Sequence, residues 1–229
     1  MPAASIRARV RAEMTEEIKA VARRHLATDG ANLSLRGVAR EMGMVSSAVY
    51  RYFASRDDLL TALIIDAYNA LGEAVEKADA AISDRANLRA RWLSVGRAVR
   101  RWALRTPAEY ALIFGSPVPG YQAPQDTVIA AQRTPLTLLR IVAHASGTPA
   151  TVPLPAAVAN DLVALSRQLP PDGDLALLTP TQLAIGSFAW IHLFGAVNFE
   201  LFGQLNNVID AREEYFDAQL GWLADQLRL

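Results

Sequence analysis

Residues Leu33–Leu60 read LSLRGVAREMGMVSSAVYRYFASRDDLL, and this stretch decides the fold. It spells two short helices around a tight turn at Gly43. A helix-turn-helix needs a small residue where its helices meet, and Ala39 supplies one. It needs a residue that tolerates left-handed backbone in the turn, and Gly43 supplies that four positions later. Val38, Met42, Val45 and Val49 stand where apolar side chains would lock the helices together. Ser55-Arg56-Asp57-Asp58 has the form of a capping box that opens a longer helix.

Outward from this stretch the chain reads as helix nearly throughout, so the expected fold class is all-α. No sustained apolar/polar alternation flanked by hairpin signals predicts a strand. Upstream, Val10, Met14, Ile18, Val21 and Leu26 fall at helical spacing over residues 5–29, and Gly30 ends that helix. The helix-turn-helix pair is expected at 35–42 and 46–53, and a fourth helix runs to about residue 82. An arginine-rich helix over 86–105 carries Trp92, Val95, Val99 and Trp102. Thr106-Pro107-Ala108-Glu109 opens the next helix, and Phe114-Gly115-Ser116-Pro117-Val118-Pro119-Gly120 is a loop that two prolines and two glycines impose. A segment over 126–145 is interrupted or kinked at Pro135, and loops cover 146–155 and 170–174. Thr179-Pro180-Thr181-Gln182 opens an apolar helix to about 205, and a last helix covers 210–228.

Bulk composition narrows the function classes. The 229 residues are 52% hydrophobic and 20% charged, enough for a sizeable core. With no cysteine there are no disulfides, cysteine nucleophiles or thiolate metal sites. Three scattered histidines argue against a metal site, and His25 and His144 have no partner visible in the sequence. No run of about 18 uninterrupted apolar residues predicts a membrane span, and the N-terminus lacks the apolar core of a signal peptide. A cytoplasmic protein is therefore expected. Formal net charge is zero, but residues 1–60 hold ten basic and seven acidic residues, so the remainder is −3. A basic excess at one end suits a polyanion there. No Walker A loop, Gly-x-Ser-x-Gly, His-Glu-x-x-His or Rossmann fingerprint occurs, so no enzyme and no cofactor are expected.

The run Val49-Tyr50-Arg51-Tyr52-Phe53-Ala54-Ser55-Arg56-Asp57-Asp58-Leu59-Leu60 resembles the N-terminal domain of the TetR family of repressors. That family shares an aromatic end to the recognition helix, a turn, a basic residue and an acid-leucine pair. Many members carry Lys at the position of Arg56. Ala189-Trp190-Ile191-His192-Leu193-Phe194-Gly195-Ala196-Val197-Asn198-Phe199-Glu200-Leu201 resembles the C-terminal domain of a large TetR subgroup. Pro107-Ala108-Glu109-Tyr110 and Phe114-Gly115-Ser116-Pro117-Val118-Pro119-Gly120-Tyr121 fit the same subgroup.

The resemblance implies a helix-turn-helix domain over 1–55, a connecting helix to about 82, and a dimerisation and effector-binding domain over 84–229. It implies a repressor of a palindromic double-stranded DNA operator, released by a small effector. The homodimer would form through the last two helices. The 180–205 helix is apolar on nearly all sides and so wants burial on two faces. Gly186, Gly195 and Gly203 would permit close approach, and Leu220, Leu223 and Leu227 would continue the seam.

Individual positions take roles from their chemistry. Ser46 caps the recognition helix, and Ser47 and Ala48 are short enough to bring it close to base edges. Arg51 suits guanine or phosphate. In the family, the positions of Tyr50 and Tyr52 lie near phosphates or sugars; burial of either ring is the competing assignment. Ser34 caps the second helix while its free amides face a phosphate, with plain capping the alternative. Arg36 and Arg56 are phosphate clamps. Arg7, Arg9 and Arg11 form a flexible arm or a solvated surface. Trp92, Tyr110, Phe114, Leu138, Phe188 and His192 are the expected lining of an apolar effector cavity, with ordinary core packing the competing fate of each. The alternative from another class is an all-helical interaction or ligand-binding protein without DNA binding.

Overall fold

A computed structural model describes residues 3–29, 33–145, 153–170 and 173–229. Gly30, the expected stop of the first helix, and most of the 146–155 loop lie outside the described residues. Of the described residues 73% are helical and none is in a strand. The helices run α1 Ala3–Asp29, α2 Leu35–Glu41, α3 Ser46–Val49, α4 Arg56–Ala80, α5 Leu88–Arg105, α6 Pro107–Phe114, α7 Thr127–Ala143, α8 Ala156–Ser166, α9 Pro180–Leu201 and α10 Arg212–Leu227. They form two compact units, Met1–Ala70 with Thr106–Ala131, and Leu71–Arg105 with Gln132–Leu229.

The first unit is built on one core. Ile18, Val21, Ala22 and Leu26 of α1 meet Leu35, Val38 and Ala39 of α2, Val49 of α3, Phe53, and Leu59, Leu60 and Leu63 of α4. The Ser34 hydroxyl accepts from Gly37 N at 3.0 Å and caps α2. Gly43 turns the chain with φ +66°, and Met44 N donates to Ala39 O at 2.9 Å to close the turn. The expected capping box is present in full: Asp58 N donates to Ser55 Oγ, and Ser55 N to Asp58 Oδ2, each at 3.0 Å. The expected third helix over 46–53 is shorter. α3 ends at Val49, and residues 50–52 tighten into i→i+3 bonds such as Tyr52 N to Val49 O at 2.9 Å.

Residues 106–131, which the sequence reading assigns to the C-terminal domain, pack with the N-terminal helices. Ala108, Leu112, Val118 and Tyr121 lie against the helix-turn-helix core. The Tyr121 hydroxyl is 2.9 Å from Thr61 Oγ1, and Glu109 pairs with Arg23 at 3.4 Å. Burial, opposed by Arg23, raises the Glu109 carboxyl above its ordinary value. Gly115 ends α6 as expected, donating its N–H to Ala111 O at 2.9 Å. A Cβ there would sit 2.3 Å from that same carbonyl oxygen, which is backbone and has nowhere to go. Gly115→Ala is therefore expected to destabilise the protein by about 1–3 kcal/mol, read as a lower denaturation midpoint. An unchanged midpoint would show that the loop relaxes at no cost.

In the second unit, α5 buries Trp92, Val95, Val99 and Trp102. The Trp92 indole donates to Leu220 O of α10 at 3.0 Å. Several arginines of α5 are tied down by acids on other helices. Arg97 holds Asp217 bidentately at 2.9 Å, Arg100 holds Glu200 bidentately at 2.7 Å, and Arg91 meets Asp79 at 2.8 Å. α7 continues through Pro135 rather than breaking there.

α9 opens on the expected capping box at Thr179 and Gln182. By length and composition alone its 22 residues could cross a bilayer. It nevertheless buries Leu183, Ala189, Leu193, Phe194 and Val197 in the unit, and packs against α5, α8 and α10. It ends at Leu201, where Phe202 and Gly203 begin a turn with φ +82° at Gly203.

Candidate nucleic-acid interface

α3 stands at the surface of the first unit with only Val49 of its four residues buried. Its inner side is fixed by Val49 and Phe53, so the remaining side chains point outward. Ser47 is exposed, Ser46 and Ala48 are half-buried, and Tyr50 is 45% exposed. Arg51 is exposed, and among the described residues its guanidinium has no hydrogen-bond or ion-pair partner. Arg36 on α2 is exposed as well. Short polar residues, one aromatic and an unengaged guanidinium on a projecting helix can enter a groove and donate to base edges or phosphates.

Several expectations need correction. Ser46 is the first helical residue and not the cap: Val45 holds the N-cap position, without a side-chain bond. Val45 does not lock the helices either, being 71% exposed at the tip of the turn. Helical periodicity fails to place it because it precedes the helix; Met42 and Met44 pack on the core in its stead. Arg7, Arg9 and Arg11 lie within α1, so they form no flexible arm. Arg11 Nη2 donates to Arg51 O at 3.0 Å, and its guanidinium lies 5.2 Å from the centre of the half-buried Tyr52 ring. Arg56 is half-buried and donates to Leu33 O at 3.0 Å, which ties the start of α4 to the approach of α2. Ser34 is exposed and spends its hydroxyl on the α2 cap.

The histidines also have partners that the sequence hides. His25 Nε2 lies 2.6 Å from Glu41 Oε2, and Arg24 reaches Glu41 Oε1 at 2.6 Å. The Arg24 hydrogen bond, then that of His25, hold the Glu41 carboxyl below its ordinary range. These contacts pin α2 to α1. On α1, Lys19 pairs with Asp66 at 2.8 Å and Glu16 at 2.6 Å. Burial disfavours its charge, yet those two acids outweigh burial and raise the Lys19 amine above its usual value. His144 Nε2 lies 3.4 Å from Asp174 in the second unit.

The six residues expected to line an effector cavity divide between the two units. Tyr110 and Phe114 belong to the first unit, where their tilted rings lie 5.1 Å apart. Trp92 and Leu138 are buried core residues of the second unit. Phe188 and His192 line a groove of about 250 Å³ between α9 and α10, with Ile185, Ala189, Trp222 and Gln226. His192 Nε2 is 3.2 Å from Gln219 Oε1, and His192 opens onto a second groove of about 280 Å³ with Gly195, Phe199 and Tyr215. These grooves interrupt an exposed apolar face formed by Phe188, Ile191 and Phe199 of α9, with Phe202, Tyr215 and Trp222. The three leucines of the expected α10 seam are buried: Leu220 lies against Trp92 and Gly96 of α5, and Leu223 and Leu227 line the floor of the first groove.

Comparison with known proteins agrees with this geometry. The domain family described as "Bacterial regulatory proteins, tetR family" matches residues 18–63, which contain α2, α3 and the start of α4. The family described as "Tetracyclin repressor-like, C-terminal domain" matches residues 92–223. The HTH-type transcriptional regulators Mb1846 of Mycobacterium bovis and Rv1816 of Mycobacterium tuberculosis are each 38% identical, over 91% of this chain and 90% of theirs. The crystal structure of the putative regulatory protein SCO4313 is 32% identical and superimposes with a TM-score of 0.77, over 98% of this chain and 100% of that one. PfmR, a TetR family regulator from Thermus thermophilus, shares the fold at a TM-score of 0.56. The two matched domains, the near full-length relatives and the projecting α3 agree: the chain belongs to the TetR family of helix-turn-helix transcriptional regulators.

Proposed function

We propose that the protein is a cytoplasmic homodimeric repressor that reads a palindromic operator through α3 and leaves it when a small molecule binds the second unit. The observation that carries the DNA-reading part is Arg51, an exposed guanidinium without a partner among the described residues, on the turn that follows α3, between the buried Val49 and Phe53. Ser47, Ala48 and Tyr50 complete the reading face; Arg36 and the α2 amides behind Ser34 supply phosphate contacts that position without specifying. Arg56 contributes by holding α2 and α4 in register, its guanidinium being engaged by Leu33 O.

Two copies joined through the exposed face of α9 and α10 would present two α3 helices one helical turn apart, about 34 Å. Effector control follows from chain continuity. α4 is one unbroken helix that begins in the first unit and ends in the second, so a rearrangement of the second unit displaces the reading head. The effector shifts this balance only by binding the released state more tightly. An effector-saturated dimer that held operator as tightly as the free dimer would exclude this part of the reading.

Selection of bound sequences from a random duplex pool yields the operator, and Arg51→Ala then tests the assignment. We expect operator affinity to fall about 10- to 100-fold, the worth of one bidentate base contact. Affinity for random duplex should fall far less. Equal losses on both duplexes would make Arg51 a phosphate contact. An interaction protein without DNA binding would enrich no sequence at all.

A further inference from the structure

α3 is only four residues long, and the chain after it tightens into i→i+3 bonds, Arg51 N to Ala48 O and Tyr52 N to Val49 O. The Arg51 carbonyl lies beyond those bonds, so the end of this turn depends on something else for a fixed conformation. The structure supplies that from a distant place. Arg11, on α1, donates Nη2 to the carbonyl of Arg51 at 3.0 Å and lays its guanidinium 5.2 Å from the Tyr52 ring centre. Arg11 is itself set on a regular helix, where Thr15 Oγ1 donates to its carbonyl at 2.9 Å. One planar cation thus touches both residues at the end of the reading helix, through a backbone oxygen and a π face.

We propose that Arg11 is a positioning residue for sequence recognition: it fixes the C-terminal end of α3 so that Arg51 and Tyr52 project from one backbone conformation. The role presupposes that α3 reads bases. Arg11 commits one of its five N–H donors to Arg51 O and its face to Tyr52, a role within the protein that the salt dependence of binding separates from a phosphate contact. Freed of Arg11, the end of this short turn samples several conformations, and each bidentate contact made by Arg51 must first select one. That cost falls on operator binding and not on random duplex, where no base contact has to be aligned.

The test uses the full-length protein, the selected operator and a random duplex, each titrated across salt concentrations. Arg11→Ala should lower the operator-to-random affinity ratio about tenfold, the lower end of what one bidentate contact supplies. The slope of log affinity against log salt should stay as in wild type. Arg11→Lys keeps the charge but not the planar fork, so it should lose severalfold in the same ratio with the same slope. A ratio unchanged in both variants overturns the proposal. So does a slope shallower by about one per protomer at constant ratio, which is the signature of a lost phosphate contact. Should the alanine variant fail to fold, the lysine variant decides. Arg51→Ala in the same assay keeps the two assignments apart. If it discriminates like wild type, base reading by Arg51 fails. If it loses discrimination while both Arg11 variants keep it, only the positioning role falls.

Discussion

Ile191→Glu should yield a monomer that has lost most of its operator affinity. Ile191 is 64% exposed on α9, between Phe188 and Phe199 on a face that also holds Tyr215 and Trp222. Exposed aromatics and aliphatics this numerous suit the face through which the proposed homodimer would join. In a two-fold interface every substitution enters twice, so two carboxylates are brought into one apolar seam. Each must either stay buried without a partner or keep the interface open. The penalty is several kcal/mol, which raises the dimer dissociation constant by about three orders of magnitude or more. A single reading head then grips one half-site, and operator affinity should drop at least 100-fold, or about 2.7 kcal/mol. Sedimentation velocity gives the oligomeric state and a melting curve checks that the monomer is folded, since Ile191 contributes little to its own core. A variant that sediments as a dimer would move the interface away from α9.

The second large effect concerns the interior. Glu200 and Arg100 form a bidentate pair with both contacts at 2.7 Å, and their side chains are only 6% and 13% exposed. Glu200→Ala strips a nearly buried guanidinium of its main partner. Glu213 remains at 3.8 Å, but its side chain is 79% exposed and well solvated, and Phe216 offers only a ring face at 5.7 Å. Breaking one side of such a pair costs about 3 kcal/mol, toward the lower end of the usual range because Arg100 keeps those two neighbours. In a chain of this size the melting temperature should fall by roughly 6–12 °C. The double variant Arg100→Met, Glu200→Met removes both desolvation costs together and should recover most of the loss. A double variant as unstable as the single one would mean that packing between α5 and α9, rather than the uncompensated charge, sets the cost.

The sequence was most legible where the chain settles its own backbone. The Ser55–Asp58 and Thr179–Gln182 boxes, the Ser34 cap, the Gly43 turn and the Gly115 stop all appear at the expected residues. Each is a bond or a conformation completed within a few residues, so a short window of sequence contains every participant. The same window misjudged Ser46 and Val45, because spacing counted back from Val49 assumes helix where the turn still runs. It also left open which aromatics line a cavity and which fill a core. An aromatic residue is drawn equally to a core, a groove or an outer face, and spacing does not distinguish the three: Trp92 took the first and Phe188 the last two.

By itself, then, the sequence determined an all-helical chain, the place of the helix-turn-helix and several of the points where helices begin and stop. Tertiary structure alone decided that α6 joins the first unit, that the α10 leucines turn inward while Trp222 turns out, and that Arg11 serves α3 while Arg56 serves α2. The reason lies in distance along the chain. A cap or turn is closed by neighbours three or four residues away. The partner of Arg11 stands 40 residues on, and that of Trp92 stands 128 residues on. Such pairs exist only once burial of the apolar faces has brought their helices together, and nothing in either local segment names the other.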